Sequence, residues 1–282
     1  MCEFCHRHGE GQRWYLQARN YSEDLLSDLR RRRYIRDFVR DPEYLNRGLR
    51  KIEWLKSLPP FVRGVVTPIA INRQKRVHYG QVVPIEEIER IFEFVNHVTR
   101  LPCICRQATL GTEQRYCYAV SMGPGARSQL IEVVGGVDAS YLTGPDTGGL
   151  EALSREEALV NIRELENQGL CHTVWTFITP FIGGICNCDR SDCVAMRLTV
   201  TMDYPVMFRA EYVSEVNPER CNGCRQCMCV CQFGAMGFSI AHRKVFIDPR
   251  RCYGCGICRS LCTRGAIALA ERSSVPLARG VW

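Results

Sequence analysis

Two copies of one cysteine pattern constrain this chain more than any other feature of its sequence. Each copy reads C-x2-C-x2-C-x3-C, and the second begins 31 residues after the first. The copies are Cys221, Cys224, Cys227 and Cys231, followed by Cys252, Cys255, Cys258 and Cys262. The similarity extends beyond the sulfurs, because Asn-Pro or Asp-Pro precedes each copy and Gly-Ala follows it. Thiols separated by two-residue gaps can point at one face of a cuboidal iron–sulfur cluster, so the repeat predicts two [4Fe–4S] clusters.

Between about residues 215 and 269 the chain resembles a two-cluster bacterial-type ferredoxin module, in which the fourth cysteine of each run ligates the other cluster. The resemblance implies two ligand sets: Cys221, Cys224, Cys227 and Cys262 for the first cluster, and Cys252, Cys255, Cys258 and Cys231 for the second. The chain departs from that pattern at Gln232 and Thr263, which stand where it has proline. Because proline stiffens a chain, we expect a looser loop at these positions. A pair of zinc ribbons, with well-separated C-x2-C knuckles, is the alternative interpretation.

Composition indicates where such a protein would reside. The chain has 282 residues, 46% of them apolar, and 18 cysteines, so it can bury a core and form two or three domains. An extracellular disulfide framework would require an export signal, and the polar first eight residues do not resemble one. We therefore interpret the cysteines as thiolate ligands in a reducing, cytoplasmic compartment. No apolar run approaches the roughly 20 residues that span a bilayer.

The formal net charge of +7 counts every thiol as neutral. Each [4Fe–4S] core with four thiolates would contribute about −2, so the basic residues largely compensate the predicted cofactors. Many of them crowd the repeat: Arg220, Arg225, Arg243, Lys244, Arg250, Arg251, Arg259 and Arg264. No basic stripe with interleaved aromatic residues accompanies them, so we expect no nucleic-acid partner.

The order of the patterns predicts an α+β protein in four parts. We expect a helical N-terminal docking region (1–60), an irregular cysteine-rich middle domain (61–213), a ferredoxin-like domain (214–271) and an extended tail (272–282). The ferredoxin-like domain should contain two pairs of short antiparallel strands and two helices of one or two turns.

Local signals place several elements within these parts. Ser22 is a candidate helix cap, and residues 61–82 read as loop and extended chain. Pro84 opens an apolar helical pattern that we expect to end at Pro102. A capping box at Ser154 and Glu157 predicts a helix that runs to Gly169.

A second group of cysteines precedes the repeat: Cys103, Cys105, Cys117, Cys171, Cys186, Cys188 and Cys193. Cys171 follows a predicted helix end, and we expect it to be a small buried residue. The other six form two sets, C-I-C-R with Cys117 and C-N-C-x4-C. Paired thiols among polar neighbours are typical of ligand loops, so a third metal site is predicted, another [4Fe–4S] cluster. Its candidate ligands are Cys105, Cys117, Cys186 and Cys193, with Cys103 and Cys188 as competitors.

The region from about residue 101 to residue 193, followed by the repeat, resembles a family of iron–sulfur proteins from anaerobes described as 4Fe–4S dicluster proteins. The shared motifs are Cys103-Ile104-Cys105-Arg106, Glu156-Glu157-Ala158-Leu159 and Ile185-Cys186-Asn187-Cys188. The chain departs from the family at residues 189–192, where relatives tend to have more cysteines. The resemblance implies electron transfer and no assigned substrate.

The N-terminus carries a further cysteine motif. Cys2, Cys5 and His6 spell C-x-x-C-H, which in an exported protein indicates covalent c-type haem. With His8, the four side chains form a candidate zinc site or complete a cluster site. An exposed, unliganded pair of thiols is the remaining interpretation.

Two function classes remain open after these observations. In the first, the chain is a polyferredoxin-like subunit that relays single electrons within a larger hetero-oligomeric oxidoreductase complex, with other redox subunits as partners. In the second, it is an enzyme whose substrate binds at the third site, with His172, Asp189 and Asp192 as candidate proton donors. The sequence shows no flavin or nicotinamide motif, no nucleophile–base pair and no evident substrate pocket. A redox-sensing regulator is a third class, although no helix-turn-helix pattern is present.

Overall fold

The computed structural model describes residues 13–123, 128–142 and 149–281. Helices and strands are both abundant in these ranges, so the predicted α+β class is confirmed. The C-terminal part carries the two cysteine repeats, and the middle part contains a mixed sheet.

The N-terminal region is helical. Short 3-10 turns at Trp14–Leu16, Ala18–Tyr21 and Glu23–Ser27 lead into three helices: α1 (Leu29–Arg40), α2 (Glu43–Ser57) and α3 (Pro60–Val77). The Ser22 hydroxyl accepts a hydrogen bond from the Asp24 amide, which confirms the predicted cap. The prediction of loop over residues 61–77 was wrong. Pro60 stands in the first turn of α3, where a helix needs no amide donor.

Helix α3 is unusual because none of its residues is buried. Phe61, Val65 and Ile69 follow one another at a spacing of four, and each is more than 60% exposed. These three side chains form an apolar stripe along one face of α3.

The middle region is built around a seven-stranded sheet, so the prediction of an irregular middle domain was wrong. Its strands are β1 (Gly80–Val82), β2 (His97–Leu101), β3 (Cys117–Ser121), β4 (Glu151–Leu153), β5 (Cys171–Thr176), β6 (Ile182–Cys188) and β7 (Met207–Phe208). Their spatial order is β4-β2-β3-β6-β5-β1-β7. Neighbouring strands are antiparallel except β1 and β7, which run parallel.

Five helices connect or cover these strands: α4 (Ile85–Phe92), α5 (Ile104–Leu110), α6 (Gln129–Gly135), α7 (Arg155–Asn167) and the single turn α8 (Val194–Met196), which continues as a π-helical turn over Arg197–Thr201. Helix α4 begins after Pro84 as predicted. It ends well before Pro102, because β2 pairs with both β3 and β4. The capping box of Ser154 and Glu157 opens α7 as predicted, and Gly169 follows that helix at a φ of +87°.

The two faces of the sheet have different coverings. Successive strand residues point to opposite faces, so Val174 and Ile185 pack with α4 and α7 on one face. Cys171, Trp175 and Cys188 point to the other face, where they pack with residues of α2 and α3 and the segment after β6. The sheet therefore presents its cysteines to the N-terminal helical layer.

The C-terminal module has an internal twofold repeat. Its elements are β8 (Tyr212–Val216), α9 (Gln226–Cys229), β9 (Met236–Ser239), β10 (Lys244–Ile247), α10 (Ile257–Ser260) and β11 (Ile267–Glu271). Strand β8 pairs with β11 and β9 pairs with β10, both antiparallel. Each pair thus joins a strand that precedes one repeat to a strand that follows the other. The predicted strand pairs and short helices are confirmed.

The tail differs from the predicted extended chain. A 3-10 turn at Arg272–Ser274 reverses its direction, and Ala278 is fully buried beside Val213 and Cys252. The tail therefore packs on the module that it follows.

The module is docked on the sheet through residues near its cysteines. Phe233 and Tyr253 stack with their ring centroids 4.0 Å apart, and both belong to the core that contains Cys171 and Cys188. The amide of Gln232 donates to the Gly169 carbonyl (3.0 Å), and its oxygen accepts from the Arg190 amide (3.0 Å). A glutamine in place of proline anchors this loop to the middle region, so the expectation of a looser loop was wrong there.

The structure also bears on membrane insertion. Within the described ranges, no helix combines the length and the apolar character needed to cross a bilayer.

Candidate metal centres

The two cysteine repeats share one backbone geometry. Gly223 and Gly254 occupy equivalent positions and have φ values of +73° and +71°. A Cβ atom at Gly223 would lie 2.3 Å from the carbonyl oxygen of Arg243, and one at Gly254 would lie 2.0 Å from that of Tyr212. Only glycine fits these two turns, which direct the flanking cysteines toward one point.

The fourth cysteine of each repeat lies near the third cysteine of the other. Burial, together with the neighbouring Cys224, Cys262 and Cys221, raises the pKa of Cys227 to about 11. Burial likewise raises the pKa of Cys258, with further contributions from Cys255, Cys252 and Cys231. Four thiols that raise one another's pKa in this way are suited to a cation or a cationic cluster core, which would hold them as thiolates.

Backbone amides point at the sulfurs of both repeats. The Ala235 amide donates to Cys231 Sγ and the Ala266 amide donates to Cys262 Sγ, each at 3.3 Å. Cys252 Sγ accepts from the amides of Ser214 and Gly254, each at 3.4 Å. Amide donors of this kind stabilise thiolates and tune the reduction potential of a bound cluster. The donor set therefore fits iron–sulfur ligation.

The two repeats differ in their distance from solvent. Cys224 is exposed, whereas Cys252 and Cys258 are buried against the rest of the chain. The Cys171 thiol of β5 donates a hydrogen bond to the His172 carbonyl (3.7 Å) and lies beside Cys255 of the second repeat, so that each thiol shifts the pKa of the other. Cys171 is fully buried as predicted, but its contact with the second repeat gave no signal in the sequence.

The six remaining cysteines of the middle region form one connected group. Cys117 and Cys186 are directly paired between β3 and β6. The thiols of three pairs are close enough to shift each other's pKa, namely Cys103 with Cys117, Cys117 with Cys186, and Cys105 with Cys193, and a hydrogen bond joins Cys193 to Cys188. The last pair has a sulfur–sulfur distance of 3.3 Å. The neighbouring thiols of Cys105 and Cys188 hold the pKa of Cys193 well below the usual thiol value.

The structure distinguishes Cys103 from the other five. Cys103 is buried, its sulfur accepts a hydrogen bond from the Tyr116 amide at 3.0 Å, and the Arg106 guanidinium lies 3.9 Å away. The other five line a common cavity: Cys105, Cys117, Cys186, Cys188 and Cys193. This arrangement sets Cys103 apart, and the choice of four ligands among the other five stays a prediction.

Arg106 supplies a buried positive charge to this group. Burial lowers its pKa, but the neighbouring Cys103 and Asp189 outweigh burial and raise it above the ordinary value. Its guanidinium forms an ion pair with Asp189 and lies 4.2 Å from the ring centroid of Tyr116. A permanent cation among six thiols favours their ionised forms and suits an anionic cofactor.

Two of the candidate proton donors, His172 and Asp189, are placed unfavourably for proton transfer to a substrate at the middle cysteines. His172 is fully buried, and its Nδ1 lies 2.6 Å from Asn187 Oδ1 on the face of the sheet opposite the cysteines. Burial lowers the pKa of His172 to about 4, so it is neutral near pH 7. Burial would raise the pKa of Asp189, but hydrogen bonds from the Asp192 amide and Ser191, with the charge of Arg106, hold it low. Asp189 therefore acts as the partner of Arg106.

No three or more His, Cys, Asp or Glu side chains in residues 13–123, 128–142 and 149–281 are close enough to share a single metal ion. A cubane does not require such a group, because its four thiolates bind four different iron atoms. The N-terminal candidates Cys2, Cys5, His6 and His8 lie outside the described residues.

A cavity of about 560 Å³ adjoins the middle cysteines. It lies between helices α1–α3 and the cysteine-bearing face of the sheet. Its volume falls within the range of small-molecule sites, about 300–1,000 Å³. The sequence indicated no substrate pocket, because this cavity forms only where distant segments meet.

Comparison with known proteins supports the C-terminal assignment. A family model described as "4Fe-4S binding domain" matches residues 214–236, which contain the first cysteine repeat and the last part of strand β8. No curated protein matches the chain significantly. The match, with the geometry above, supports a ferredoxin-type module that binds a [4Fe–4S] cluster and serves iron–sulfur electron transfer.

Proposed function

We propose that the chain is a relay protein with two ferredoxin clusters and a third cluster in the middle region, which pass single electrons through the protein in that order. The placement of Cys262 beside Cys227, and of Cys231 beside Cys258, supports the crossed ligand sets of the first two clusters. Cys221, Cys224, Cys227 and Cys262 would hold one cluster, and Cys252, Cys255, Cys258 and Cys231 the other. When bound, these clusters would accept and donate single electrons.

Exposure suggests how the protein meets its redox partners. Cys224 is exposed at the outer repeat, and the basic residues Arg220, Arg225 and Arg243 around it are exposed as well. A redox partner with an acidic surface would fit there, because opposite charges steer such encounters. The apolar stripe Phe61, Val65 and Ile69 of α3 is consistent with a second subunit in a larger complex.

The third cluster would occupy the middle group, with Cys105, Cys117, Cys186 and Cys193 as ligands. Arg106 would balance its charge, and the Tyr116 amide would orient Cys103 next to it. Cys171 is the register partner of Cys188 in the sheet and also contacts Cys255. The middle group is therefore adjacent to the second ferredoxin cluster rather than to the first.

A reductive titration of anaerobically purified protein tests this function. Each cubane accepts one electron, so we expect about three electron equivalents per chain, and the reduced protein should pass them to an added one-electron acceptor. Uptake of about two equivalents would contradict the third cluster. Folded protein that accepts no electrons would contradict the whole proposal.

A second candidate function is an oxidoreductase that reduces a substrate beside the middle cysteines. The cavity supports this candidate, because five of those cysteines line it. A substrate there would reach the middle cluster while the two ferredoxin clusters supply electrons from the other side. A change in the electron paramagnetic resonance signal of the middle cluster on substrate addition would favour this function over a pure carrier.

A further inference from the structure

The cavity beside the middle cysteines has three chemically distinct parts. Five cysteines form its floor, and an aromatic group forms one wall: Tyr34, Phe38, His78, Trp175 and Phe177. Helices α2 and α3 form its mouth with Arg47, Lys51 and Arg73. A cluster on the cysteines would take up the part of the cavity next to them.

The aromatic side chains of the wall are grouped around His78. The His78 ring stacks on Trp175 with centroids 4.9 Å apart and an interplanar angle of 23°. Phe38 and Phe177 contact the same imidazole at 4.6 and 4.9 Å. An aromatic lining of this kind favours a ligand with an aromatic body, because ring–ring contacts gain energy beyond the burial of area.

One nitrogen of His78 is fixed by the sheet. Its Nδ1 lies 2.7 Å from the carbonyl oxygen of Thr176, which can only accept, so Nδ1 carries the proton. The neutral ring therefore has Nε2 as a hydrogen-bond acceptor, and the side chain is only half-buried where it lines the cavity. His78 stays neutral near pH 7 and adds no charge to the wall.

The mouth of the cavity carries positive charge that the protein does not neutralise. Arg47 is paired with Asp41 at 2.5 Å, but Lys51 and Arg73 have no acidic partner within the described parts of the chain. Among the described residues, neither Asp nor Glu lines the cavity. Two unpaired cations at the mouth of an apolar cavity provide a site for an anionic group.

We infer that this cavity binds an aromatic carboxylate, with its ring among the aromatic side chains of the wall and its carboxylate at Lys51 and Arg73. Such a ligand uses every feature of the site, because its ring matches the wall and its charge matches the mouth. Binding requires no chemistry at the cysteines. The inference goes beyond the relay function and would supply the substrate class if the oxidoreductase candidate is correct.

Calorimetric titration of anaerobically purified protein with 2-naphthoate tests the inference, with the uncharged 2-naphthamide as a matched ligand. We expect 2-naphthoate to bind at least tenfold more tightly than 2-naphthamide. Arg73→Gln should lower the affinity for 2-naphthoate by about tenfold, so that it becomes similar to the affinity for 2-naphthamide. Arg76 is a neighbour on α3 that does not line the cavity, so Arg76→Gln should change neither of the two affinities. Equal affinities for the two ligands in the wild type, or an unchanged affinity in Arg73→Gln, would overturn the anionic class.

A cavity-filling variant tests the location. Gly48 of α2 lines the cavity, and a Cβ atom there would meet nothing within 4 Å, so Gly48→Leu would fill the cavity without a clash. Gly64 of α3 has the same free space but does not line the cavity, so Gly64→Leu is the matched control. We expect Gly48→Leu to lose 2-naphthoate binding and Gly64→Leu to keep it. Equal binding in both variants, or no binding by the wild type at millimolar 2-naphthoate, would overturn the site.

Iron content separates failure of this inference from failure of the relay function. Both leucine variants should keep the wild-type iron content, because neither glycine contacts a cysteine. A wild type with full iron content that does not bind 2-naphthoate would overturn only the ligand inference. A wild type without iron would contradict the relay function, whatever it binds.

Discussion

The thiol of Cys171, in the central sheet, lies beside the thiol of Cys255, in the second cysteine repeat, close enough for each to shift the pKa of the other. The two residues are far apart in the sequence and belong to different parts of the fold. Their contact is where the middle region comes closest to the proposed second cluster. Cys171 would therefore tune that cluster without being one of its ligands.

Replacement of Cys171 tests this role. A hydrogen bond to a thiolate ligand favours the more negative, reduced cluster, so Cys171→Ala should lower the potential of the second cluster. We expect a shift of about 40 mV, which corresponds to about 1 kcal/mol for a one-electron couple. A redox titration followed by electron paramagnetic resonance measures it. Cys171→Ser, which keeps a donor, should shift less. Loss of iron in Cys171→Ala would show that Cys171 is itself a ligand.

Double substitutions test the crossed ligand sets. If Cys227 and Cys262 hold the same cluster, Cys227→Ala/Cys262→Ala should lose one cubane, about 4 Fe per chain. Cys258→Ala/Cys262→Ala should damage both cubanes and lose about 8 Fe. Iron analysis of the two purified variants makes the comparison. The reverse order would mean that each repeat holds its own cluster.

Removal of the charge of Arg106 should damage the middle site. Arg106→Gln leaves Asp189 partly buried without its partner and removes the cation beside Cys103. We expect the free energy of unfolding to fall by about 3 kcal/mol or more, as for other broken buried ion pairs, and the iron of the middle site to be lost. Chemical denaturation and iron analysis measure the two effects. The exposed Arg190→Gln is the matched control and should change neither. Wild-type iron and stability in Arg106→Gln would contradict the assigned role.

The buried His172 predicts a dependence of stability on pH. Its ordinary pKa of 6.5 falls to about 4 in the fold, so below pH 6.5 the unfolded chain takes up a proton that the folded chain excludes. The free energy of unfolding is therefore unaffected by this histidine above pH 6.5 and decreases between pH 6.5 and 4. At pH 5 the decrease due to His172 is about 2 kcal/mol. Urea unfolding of the wild type and His172→Gln at pH 7 and pH 5 isolates the effect, because both proteins share any acid lability of the clusters. The same pH slope in both proteins would contradict it.

The sequence was most informative where structure depends on local spacing. The strand pairs and one-turn helices of the C-terminal module follow from the cysteine repeat and its glycines. The capping box of Ser154 and Glu157 also predicted the start of α7, because the two side chains satisfy nearby backbone amides.

Elements that depend on distant partners were predicted less well. Residues 97–101 continued an apparent helical pattern, yet they form β2 because β3 and β4 provide hydrogen-bond partners on both sides. Strand β1 pairs with β5, about 90 residues later, and no local signal reports that pairing. The cysteines of β3, β5 and β6 resembled loop ligands, whereas small apolar thiols also suit a buried strand.

The site was predicted in part for the same reason. The six middle cysteines come together as expected, but the contact of Cys171 with Cys255 and the cavity under α2 and α3 depend on how separate segments pack. Gln232 is a similar case. As a departure from proline it suggested a looser loop, and only its contacts with Gly169 and Arg190 show that it anchors the module.

The most direct test of the three-cluster relay is the content of iron and acid-labile sulfide in anaerobically purified protein, with zinc measured on the same sample. We predict about 12 Fe and about 12 sulfides per chain, as three cubanes require. A folded protein with about 8 of each would contradict the third cluster. A folded protein with zinc and no iron would contradict the electron-transfer account as a whole.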